Sequence, residues 1–199
     1  MIKNILVIGC GNIGSRHIQA LAKLPFDTHI EIVDPNLNSH KIAQSRLNEI
    51  NYNKEKHEFL WHVSISELKQ KHNDLVIVAT TALNRLPILK KLLPNNSKFL
   101  IEKMVCQSVK EYDELVDLMK KFNAKGWVNV SRRYFISYQN IKNLFQNNIP
   151  IHMSIIGGNF GLGSNALHFI DLFSWFTGDY KIKLNGDLLT DKILPNKRG

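Results

Sequence analysis

The sequence ILVIGCGNIG at residues 5–14 joins a run of aliphatic residues directly to a G-x-G-x-x-G pattern. Four consecutive aliphatic residues are typical of a strand that is buried on both faces of a parallel sheet. Apolar residues at helical spacing follow between Ile18 and Leu24, and a second apolar run, His29–Val33, is closed by Asp34. The start of the chain therefore predicts a strand, a glycine turn, a helix and a second strand.

Each glycine of this pattern has its own physical role. Gly9 permits a tight turn, Gly11 lets the backbone approach a pyrophosphate, and Gly14 lets the helix pack close to the strand. The helix N-terminus supplies free N–H groups and a positive dipole end for the phosphates. Asp34 lies 20 residues after Gly14, where a carboxylate accepts hydrogen bonds from the adenosine ribose hydroxyls. The dinucleotide-binding residues predicted on this stretch are Gly9, Gly11, Asn12, Ile13, Gly14 and Asp34.

Two other interpretations of the glycine turn are open. The turn can belong to a doubly wound domain that has lost its ligand. Methyltransferases share a related turn, but they usually carry an acid at the end of the first strand, where this chain has Ile8. The spacing of strand, helix, second strand and acid favours a dinucleotide. NAD is favoured over NADP, because Asp34 would repel a 2′-phosphate and no arginine follows it at residues 35–37.

Size and composition limit the classes of protein to consider. The chain has 199 residues, of which 44% are hydrophobic, so it can bury a proper core. Its net charge of +9 could favour nucleic acid, but the basic residues are scattered, and we expect a solvated basic surface without a nucleic-acid partner. We expect no signal peptide, and no apolar run reaches the ~18 residues of a membrane span. With only two cysteines, Cys10 and Cys106, these features predict a cytoplasmic protein without a membrane partner.

Strands and helices alternate through the rest of the first half. Three further strands are predicted at Phe59–Trp61, Leu75–Ala79 and Phe99–Ile101. Helical patterns follow these strands or precede them, at about residues 37–50, 83–93 and 109–122. Such alternation predicts an α/β domain with a doubly wound parallel sheet, and we expect it to cover residues 1–124.

The pattern changes in the second half, where we expect a smaller α+β domain over residues 125–199. Its strands are predicted at Trp127–Ser131, Ile151–Ile156 and Tyr180–Leu189, the last with a hairpin turn at Asn185-Gly186. Its helices are predicted at Ser137–Asn147 and Asn165–Phe176. These elements predict a sheet of three or four strands with an exposed last strand, so we expect either marginal stability of this half or burial of that edge by a second subunit in a homo-oligomer.

A second group of polar residues falls at the ends of predicted strands. Thr80 and Thr81 follow one buried strand, and Glu102 and Lys103 follow the next. Because open α/β sheets bind ligands at the carboxyl ends of their strands, we assign all four residues to the cofactor site. Lys103 would face the nicotinamide end of the cofactor, although a lysine in a surface loop is the alternative.

Four elements in order make the chain similar to the glucose–fructose oxidoreductase/inositol dehydrogenase (Gfo/Idh/MocA) family. They are Gly9–Gly14 with His17, Asp34, Glu102-Lys103, and a glycine-rich loop followed by His168-x-x-Asp171. The resemblance covers the whole chain and implies a Rossmann domain followed by a domain with a large, mostly antiparallel sheet. It implies an NAD(P)-dependent enzyme acting on a sugar, polyol or related compound. We expect a C-terminally shortened member of that family.

The chain departs from the family pattern in three places. The strand-end Glu-Lys-Pro of the family is replaced by Glu102-Lys103-Met104. The usual Thr-Pro turn is Thr80-Thr81, and Arg85 stands where a histidine is common. Ser164 stands where the family often has an aspartate, four residues before the active-site histidine. The last departure affects the expected proton relay rather than the fold or the cofactor.

Roles for the second group of site residues follow from alcohol oxidation, in which a hydride and a proton leave the substrate. His168 is the predicted base, because imidazole titrates near neutral pH, and Lys103 is the predicted cation that lowers the pKa of the hydroxyl. Asp171 could orient the imidazole, although its spacing also permits a simple surface pair. Arg133 could hold an anionic substrate group or be a solvated arginine. Asn165 completes the group of substrate or orienting residues, and we expect no metal.

The sequence as a whole predicts an NAD-linked oxidoreductase that acts on CH–OH groups of a sugar, polyol or sugar derivative. The alternative is a non-catalytic dinucleotide-binding or regulatory protein derived from such an enzyme. Ser164 and the short second half favour that alternative. Saturable NADH binding without turnover would distinguish it from the enzyme.

Overall fold

Two compact units make up the chain, Met1–Asn129 and Val130–Gly199. The computed structural model describes residues 1–145, 150–158 and 161–189. None of the helices in these ranges has the length and hydropathy that crossing a membrane requires.

The first unit is built on a six-stranded sheet in which every pairing is parallel. Its strands are β1 Lys3–Ile8, β2 Thr28–Val33, β3 His57–His62, β4 Leu75–Val78, β5 Lys98–Ile101 and β6 Lys125–Val128. The spatial order β3-β2-β1-β4-β5-β6 is that of a Rossmann fold. The predicted doubly wound parallel sheet is therefore confirmed.

Helices connect these strands and cover the sheet. They are α1 Gly14–Leu21, α2 Leu37–Asn48, α3 Arg85–Leu92 and α4 Val109–Lys121. Short 3₁₀ turns lie at Ile65–Glu67 and Leu93–Asn95. Pro94 therefore lies within a turn that continues directly from α3, one residue beyond the predicted end of that helix.

The core of this unit lies on both faces of the sheet. Ile5 and Val7 belong to one cluster, with residues of α1 and α2, and Leu6 and Ile8 belong to the other, with residues of α3 and α4. All four side chains are at most 4% exposed. Burial on both faces explains why the strand is a continuous aliphatic run rather than an alternating pattern.

The sixth strand corrects one expectation from the sequence. Trp127–Ser131 is predicted to begin the second domain, but β6 begins at Lys125 and pairs in parallel with β5. The first compact unit consequently extends to Asn129 instead of residue 124. Gly126 of this strand packs against α4, since a Cβ on it would lie 2.9 Å from the sulfur of Met119.

The second unit contains a 3₁₀ turn at Ser131–Tyr134 and two helices, α5 Ile136–Leu144 and α6 Leu162–Thr177. Both predicted helices are present. The predicted end of the first, Asn147, lies outside the described residues.

The mainly antiparallel sheet predicted for the second unit is not found in its described residues. Ile151–Ile156 and Tyr180–Leu189 are predicted strands, but neither has a strand partner in the described ranges. A strand requires a neighbouring chain for its backbone hydrogen bonds, so apolar β-branched residues alone do not form one. The predicted hairpin at Asn185-Gly186 is a local turn, in which the Leu189 N–H donates to the Gly186 carbonyl at 2.8 Å. The edge strand proposed for a homo-oligomer is likewise not found there.

A buried carboxylate ties one connection to the sheet. Glu31, in the middle of β2, is 0% exposed. Its Oε1 accepts hydrogen bonds from His62 Nε2 and the Lys69 N–H, both at 2.9 Å, and its Oε2 accepts from the Gln70 N–H at 3.0 Å. A buried ion requires such partners, because its desolvation costs several kcal/mol. Glu31 therefore holds the segment that connects β3 to β4 against the sheet.

We expect Glu31→Ala to lower the free energy of unfolding by about 3–5 kcal/mol, because the buried His62 side chain and two backbone N–H groups lose their acceptor. Urea-induced unfolding followed by circular dichroism measures the change. Glu58→Ala is the matched control, since Glu58 also pairs with a histidine, His29, but its side chain is 64% exposed. We expect that control to cost about 0–1 kcal/mol. Equal losses in the two variants would contradict the role given to Glu31.

Candidate functional site

The glycine turn lies at the carboxyl end of β1, in the middle of the sheet. Gly9 has a φ of +89°, a left-handed conformation that favours glycine. A Cβ on Gly14 would lie 1.9 Å from the Gly9 carbonyl oxygen, so only glycine lets α1 begin directly behind the turn. A Cβ on Gly11 would meet no atom of the described residues within 4 Å. The turn therefore has open space beside Gly11, where a ligand can approach the backbone.

The N-terminus of α1 adds a positive potential to this open space. Its N-cap residue, Ile13, makes no side-chain cap, and no acidic residue of the described chain lies in the first turn. The positive end of the helix dipole is therefore not offset locally. Such a helix end favours an anion, as phosphate-binding turns do.

The Asp34 carboxylate lies beside the glycine turn. Its Oδ2 accepts a hydrogen bond from the Cys10 N–H at 2.8 Å, and its Oδ1 accepts from the Asn36 N–H at 2.9 Å. Burial, together with the nearby charge of Asp34, raises the pKa of the Cys10 thiol to about 12, which keeps the thiol neutral. Each carboxylate oxygen retains a lone pair that can accept from a hydroxyl. The residue is thus arranged as a ribose-binding acid requires.

Thr80 and Thr81 follow β4 next to the glycine turn. A Cβ on Gly9 would lie 3.0 Å from the Thr80 amide nitrogen, which shows how closely the two strand ends approach. Thr80 Oγ1 is buried and has no hydrogen-bond partner among the described residues, whereas Thr81 is exposed. An unsatisfied buried hydroxyl at this edge fits a ligand that carries hydrogen-bonding groups. Gly11, the α1 N-terminus, Asp34 and Thr80 together fit a dinucleotide.

Glu102, at the carboxyl end of β5, forms side-chain hydrogen bonds with two other elements of this edge. Its side chain accepts hydrogen bonds from His17 Nε2 at 2.8 Å and from Asn129 Nδ2. Burial raises the pKa of this carboxyl, but the bonds from His17 and Asn129 together outweigh burial and hold the pKa below its ordinary value. Glu102 therefore stays ionised and joins α1 to the ends of β5 and β6.

Lys103 is half-buried, and Arg85 holds the backbone on both sides of it. The Arg85 guanidinium, 1% exposed, donates hydrogen bonds to the carbonyls of Thr80, Glu102 and Met104. Three fixed carbonyls position the segment that carries Lys103 relative to the end of β4. The peptide bond between Lys103 and Met104 is cis.

Sequence reasoning missed the roles of Arg85 and Asn129. Arg85 is visible in the sequence only as a departure from a common histidine, and nothing in the residue string indicates that it is buried. Asn129 is the first residue after β6, a strand whose pairing the sequence does not reveal. An asparagine directly after a strand that joins the sheet would have been the available signal.

The remaining predicted site residues lie on the second unit. In this unit Asp171 on α6 forms a bidentate pair with Arg133, whose Nε lies 2.7 Å from Asp171 Oδ2 and whose Nη2 bonds Oδ1. The bonds to Asp171 raise the pKa of Arg133 further above its ordinary range. His168 lies half-buried one turn earlier on α6, and Asn165 lies in the first turn, where its N–H donates to the Gly161 carbonyl at 3.1 Å. Asp171 and Arg133, predicted to serve separate roles, are thus partners.

Ser164, which stands where an acid is expected, also bonds within its own turn. Its Oγ donates to the Gly161 carbonyl at 3.0 Å. No group of three or more His, Cys, Asp or Glu side chains in the described ranges is arranged to hold a metal ion.

We expect the stability of the protein to fall at acid pH in part through Glu102. Its pKa is lowered in the folded state, so its contribution is present above the ordinary glutamate value of 4.5 and is lost as the pH falls through the lowered value. Glu102→Gln should therefore lose less stability than wild type between neutral pH and about pH 3. Urea unfolding at a series of pH values measures this difference. Glu55→Gln, at an exposed loop position, should follow the wild-type curve, and parallel curves for all three proteins would refute the role of Glu102.

Several solved structures have a similar fold. A scyllo-inositol dehydrogenase from Lactobacillus casei, with bound NAD(H) and scyllo-inositol, superposes with a TM-score of 0.67 at 17% identity over 89% of this chain and 57% of its own. The myo-inositol dehydrogenase of the same organism, with NAD(H) and myo-inositol, gives 0.67 at 18% identity over 89% and 55%. An oxidoreductase from Agrobacterium radiobacter, with NAD⁺, L-tartaric acid and magnesium, gives 0.66 at 14% identity over 89% and 55%.

These structures share the fold of the chain, which spans just over half of their length. No curated protein sequence matches the chain. The family model described as "Oxidoreductase family, NAD-binding Rossmann fold" matches residues 3–130, the part that carries the glycine turn, Asp34 and Glu102-Lys103. The resemblance drawn from those residues is confirmed, and the predicted cofactor, NAD, is that of the family. The chain belongs to the GFO_IDH_MocA oxidoreductase family.

Proposed function

We propose that the protein is an NAD-dependent oxidoreductase that transfers a hydride between the cofactor and an alcohol carbon of a sugar, polyol or sugar derivative. One observation carries the proposal. The glycine turn, Asp34, Thr80 and Glu102-Lys103 lie at the carboxyl ends of four strands of one sheet, where open α/β sheets bind ligands. Family membership supports the cofactor, and the neighbours that hold inositols support the class of substrate. We propose a cytoplasmic location, because both cysteines are free thiols.

In this proposal each group at the sheet edge binds one part of the dinucleotide. The backbone at Gly11 and the N-terminus of α1 bind the pyrophosphate. Asp34 accepts hydrogen bonds from the ribose hydroxyls, and its contacts with Cys10 and Asn36 fix the direction of its lone pairs. When bound, the nicotinamide supplies the hydride acceptor or donor.

Two side chains are proposed to handle the proton of the substrate hydroxyl. Lys103 places a positive charge near the hydroxyl and lowers its pKa, since a nearby cation favours the alkoxide. Its backbone is held by Arg85, which supports a fixed position for that charge. His168 accepts the proton as general base. The Arg133–Asp171 pair fixes α6, the helix that carries His168, to the turn before α5.

A non-catalytic dinucleotide-binding or regulatory protein is the second candidate. Ser164 bonds within its own turn, where the family often carries an acid, and Asp171 is paired with Arg133. Both observations favour a protein that kept the cofactor site without the proton relay. Fluorescence titration with NADH, followed by a screen of sugars, polyols and sugar nucleotides for a change in NADH absorbance, tests the two candidates. Saturable binding with turnover supports the enzyme, and binding without turnover supports the second candidate.

We expect wild type to bind NADH more tightly than NADPH, because the Asp34 carboxylate repels a 2′-phosphate. Asp34→Ser removes this charge and should shrink the preference, as fluorescence titrations with the two cofactors measure. Asp27→Ser is the matched control, since Asp27 lies just before β2, at the opposite end of the strand that Asp34 follows. It should keep the wild-type preference. A wild type that prefers NADPH would show that the role of Asp34 is wrongly assigned.

We expect Lys103→Met and His168→Ala each to lower turnover on an identified substrate by about 10²–10⁴-fold, the usual effect of a lost acid–base group. NADH affinity should stay nearly unchanged in both variants. Lys98→Met, at the start of β5, and His152→Ala, an exposed position of the second unit, are matched controls that should keep wild-type turnover. Full activity in both site variants would refute the catalytic assignment.

A further inference from the structure

The side chain of Arg46 extends from α2 to the glycine turn. Arg46 lies in the last turn of α2. Its Nη1 donates hydrogen bonds to Ser15 Oγ at 2.7 Å and to the Asn12 carbonyl at 3.3 Å, and its Nη2 donates to Asn12 Oδ1 at 3.0 Å. One guanidinium therefore holds both the main chain and the side chain of Asn12, in the middle of the G-x-G-x-x-G turn.

The contacts of Arg46 belong to a group of hydrogen bonds that join α1, α2 and the glycine turn. Ser15 is 0% exposed, its Oγ donates to the Asn12 carbonyl at 3.2 Å, and its N–H donates to the Gly11 carbonyl at 2.9 Å. Gln19 of α1 donates to the carbonyl of Arg46 itself. The turn thus holds the guanidinium of Arg46, and α1 holds its backbone carbonyl.

The charge of Arg46 is not compensated by an acid. Its three acceptors are a hydroxyl, an amide and a carbonyl oxygen, and no salt bridge in the described part of the chain involves it. The Asp34 carboxylate, the acid bound to this turn, contacts the Cys10 N–H instead. Arg46 is half-buried, so water screens its charge less than that of an exposed arginine. An anion that binds at the turn would meet this charge in addition to the positive end of α1.

We propose that Arg46 is a positioning residue of the dinucleotide site, which shapes the glycine turn through Asn12 and Ser15 and leaves a positive charge beside the pyrophosphate. The inference rests on the proposed function, because it takes the ligand to be a dinucleotide. The glycines and the helix end supply the N–H donors, and Arg46 holds the peptide groups that present them. A fork of two donors suits this task, because it fixes the Asn12 side chain and carbonyl at once.

The test compares ligands that carry phosphates with one that does not. Arg46→Met should weaken the binding of NADH and of ADP about tenfold and leave the binding of adenosine unchanged. Arg46→Lys keeps the charge but loses the fork, and its affinity for NADH should lie between those of wild type and Arg46→Met. The affinity of wild type for ADP should fall more steeply with added salt than that of Arg46→Met. NADH fluorescence, direct or by competition, measures all three effects, and thermal melts check that the variants are folded.

Two further variants separate Arg46 from a general effect of charge. Lys41→Met removes an exposed positive charge from α2, the helix that carries Arg46, and it should bind NADH like wild type. Asn12→Ala removes one of the acceptors of Arg46. If Arg46 acts through Asn12, the double variant should lose less affinity than the product of the two single losses.

The outcomes separate this inference from the proposed function. Equal affinity of wild type and Arg46→Met for NADH and ADP, or an equal loss in Lys41→Met, overturns the role of Arg46 and leaves the function standing. A wild type that binds neither NADH nor ADP overturns the proposed function and, with it, the charge beside a pyrophosphate. Amide hydrogen exchange at residues 11–15 of the ligand-free protein then decides the remaining part. Faster exchange in Arg46→Met supports the positioning of the turn, and unchanged exchange overturns it.

Discussion

The close approach of Gly14 to the Gly9 carbonyl oxygen is the constraint on which the first unit depends. Any side chain at Gly14 would place a carbon atom 1.9 Å from that oxygen, well inside contact distance. Without this approach α1 could not begin directly after β1, and its N-terminus would not point to the carboxyl edge of the sheet. The same short turn brings the Cys10 N–H to Asp34 at 2.8 Å. One steric condition thus positions the helix dipole, the acid and the open side of the turn together.

The buried charges of Glu102 and Arg85 depend on the relative positions of the strand ends that carry their hydrogen-bond partners. A buried carboxylate is costly unless its oxygens are hydrogen-bonded, and Glu102, 6% exposed, meets this condition with bonds from His17, Asn129 and the Lys103 backbone. His17 lies on α1, so its position depends on the glycine turn. Arg85 makes the complementary arrangement, with a buried cation on three carbonyl oxygens. The edge is therefore held by hydrogen bonds within the protein, and a site held in this way loses less conformational entropy when a ligand binds.

Features that depend on neighbouring residues could be predicted from the sequence, whereas features that depend on residues far apart in the chain could not. The glycine turn, Asp34 and the residues after β4 and β5 were predictable, because each is encoded within a few residues of a buried aliphatic strand. The strand β6 was assigned to the wrong unit, because all four of its residues are exposed and carry no burial pattern. Arg46 and Arg85 were missed for a related reason: their acceptors are fixed by the packing of helices and by the order of strands. In the second unit, β-forming composition predicts a strand at residues 151–156 that the described residues do not show, because a strand depends on a partner that composition cannot specify.

The pairing of Arg133 with Asp171 shows how a local pattern can be correct and its interpretation incomplete. Three residues of separation do place His168 and Asp171 on neighbouring positions of α6. A guanidinium, however, matches a carboxylate with two parallel hydrogen bonds, and such a bidentate pair is stronger than a single bond to an imidazole. Any orienting contact with His168 must use the remaining lone pairs of the same carboxylate. Because the pair is close to neutral, it stabilises an imidazolium less than a lone carboxylate would. A base on α6 would therefore depend more on its own chemistry, and on the substrate, than on an acidic partner.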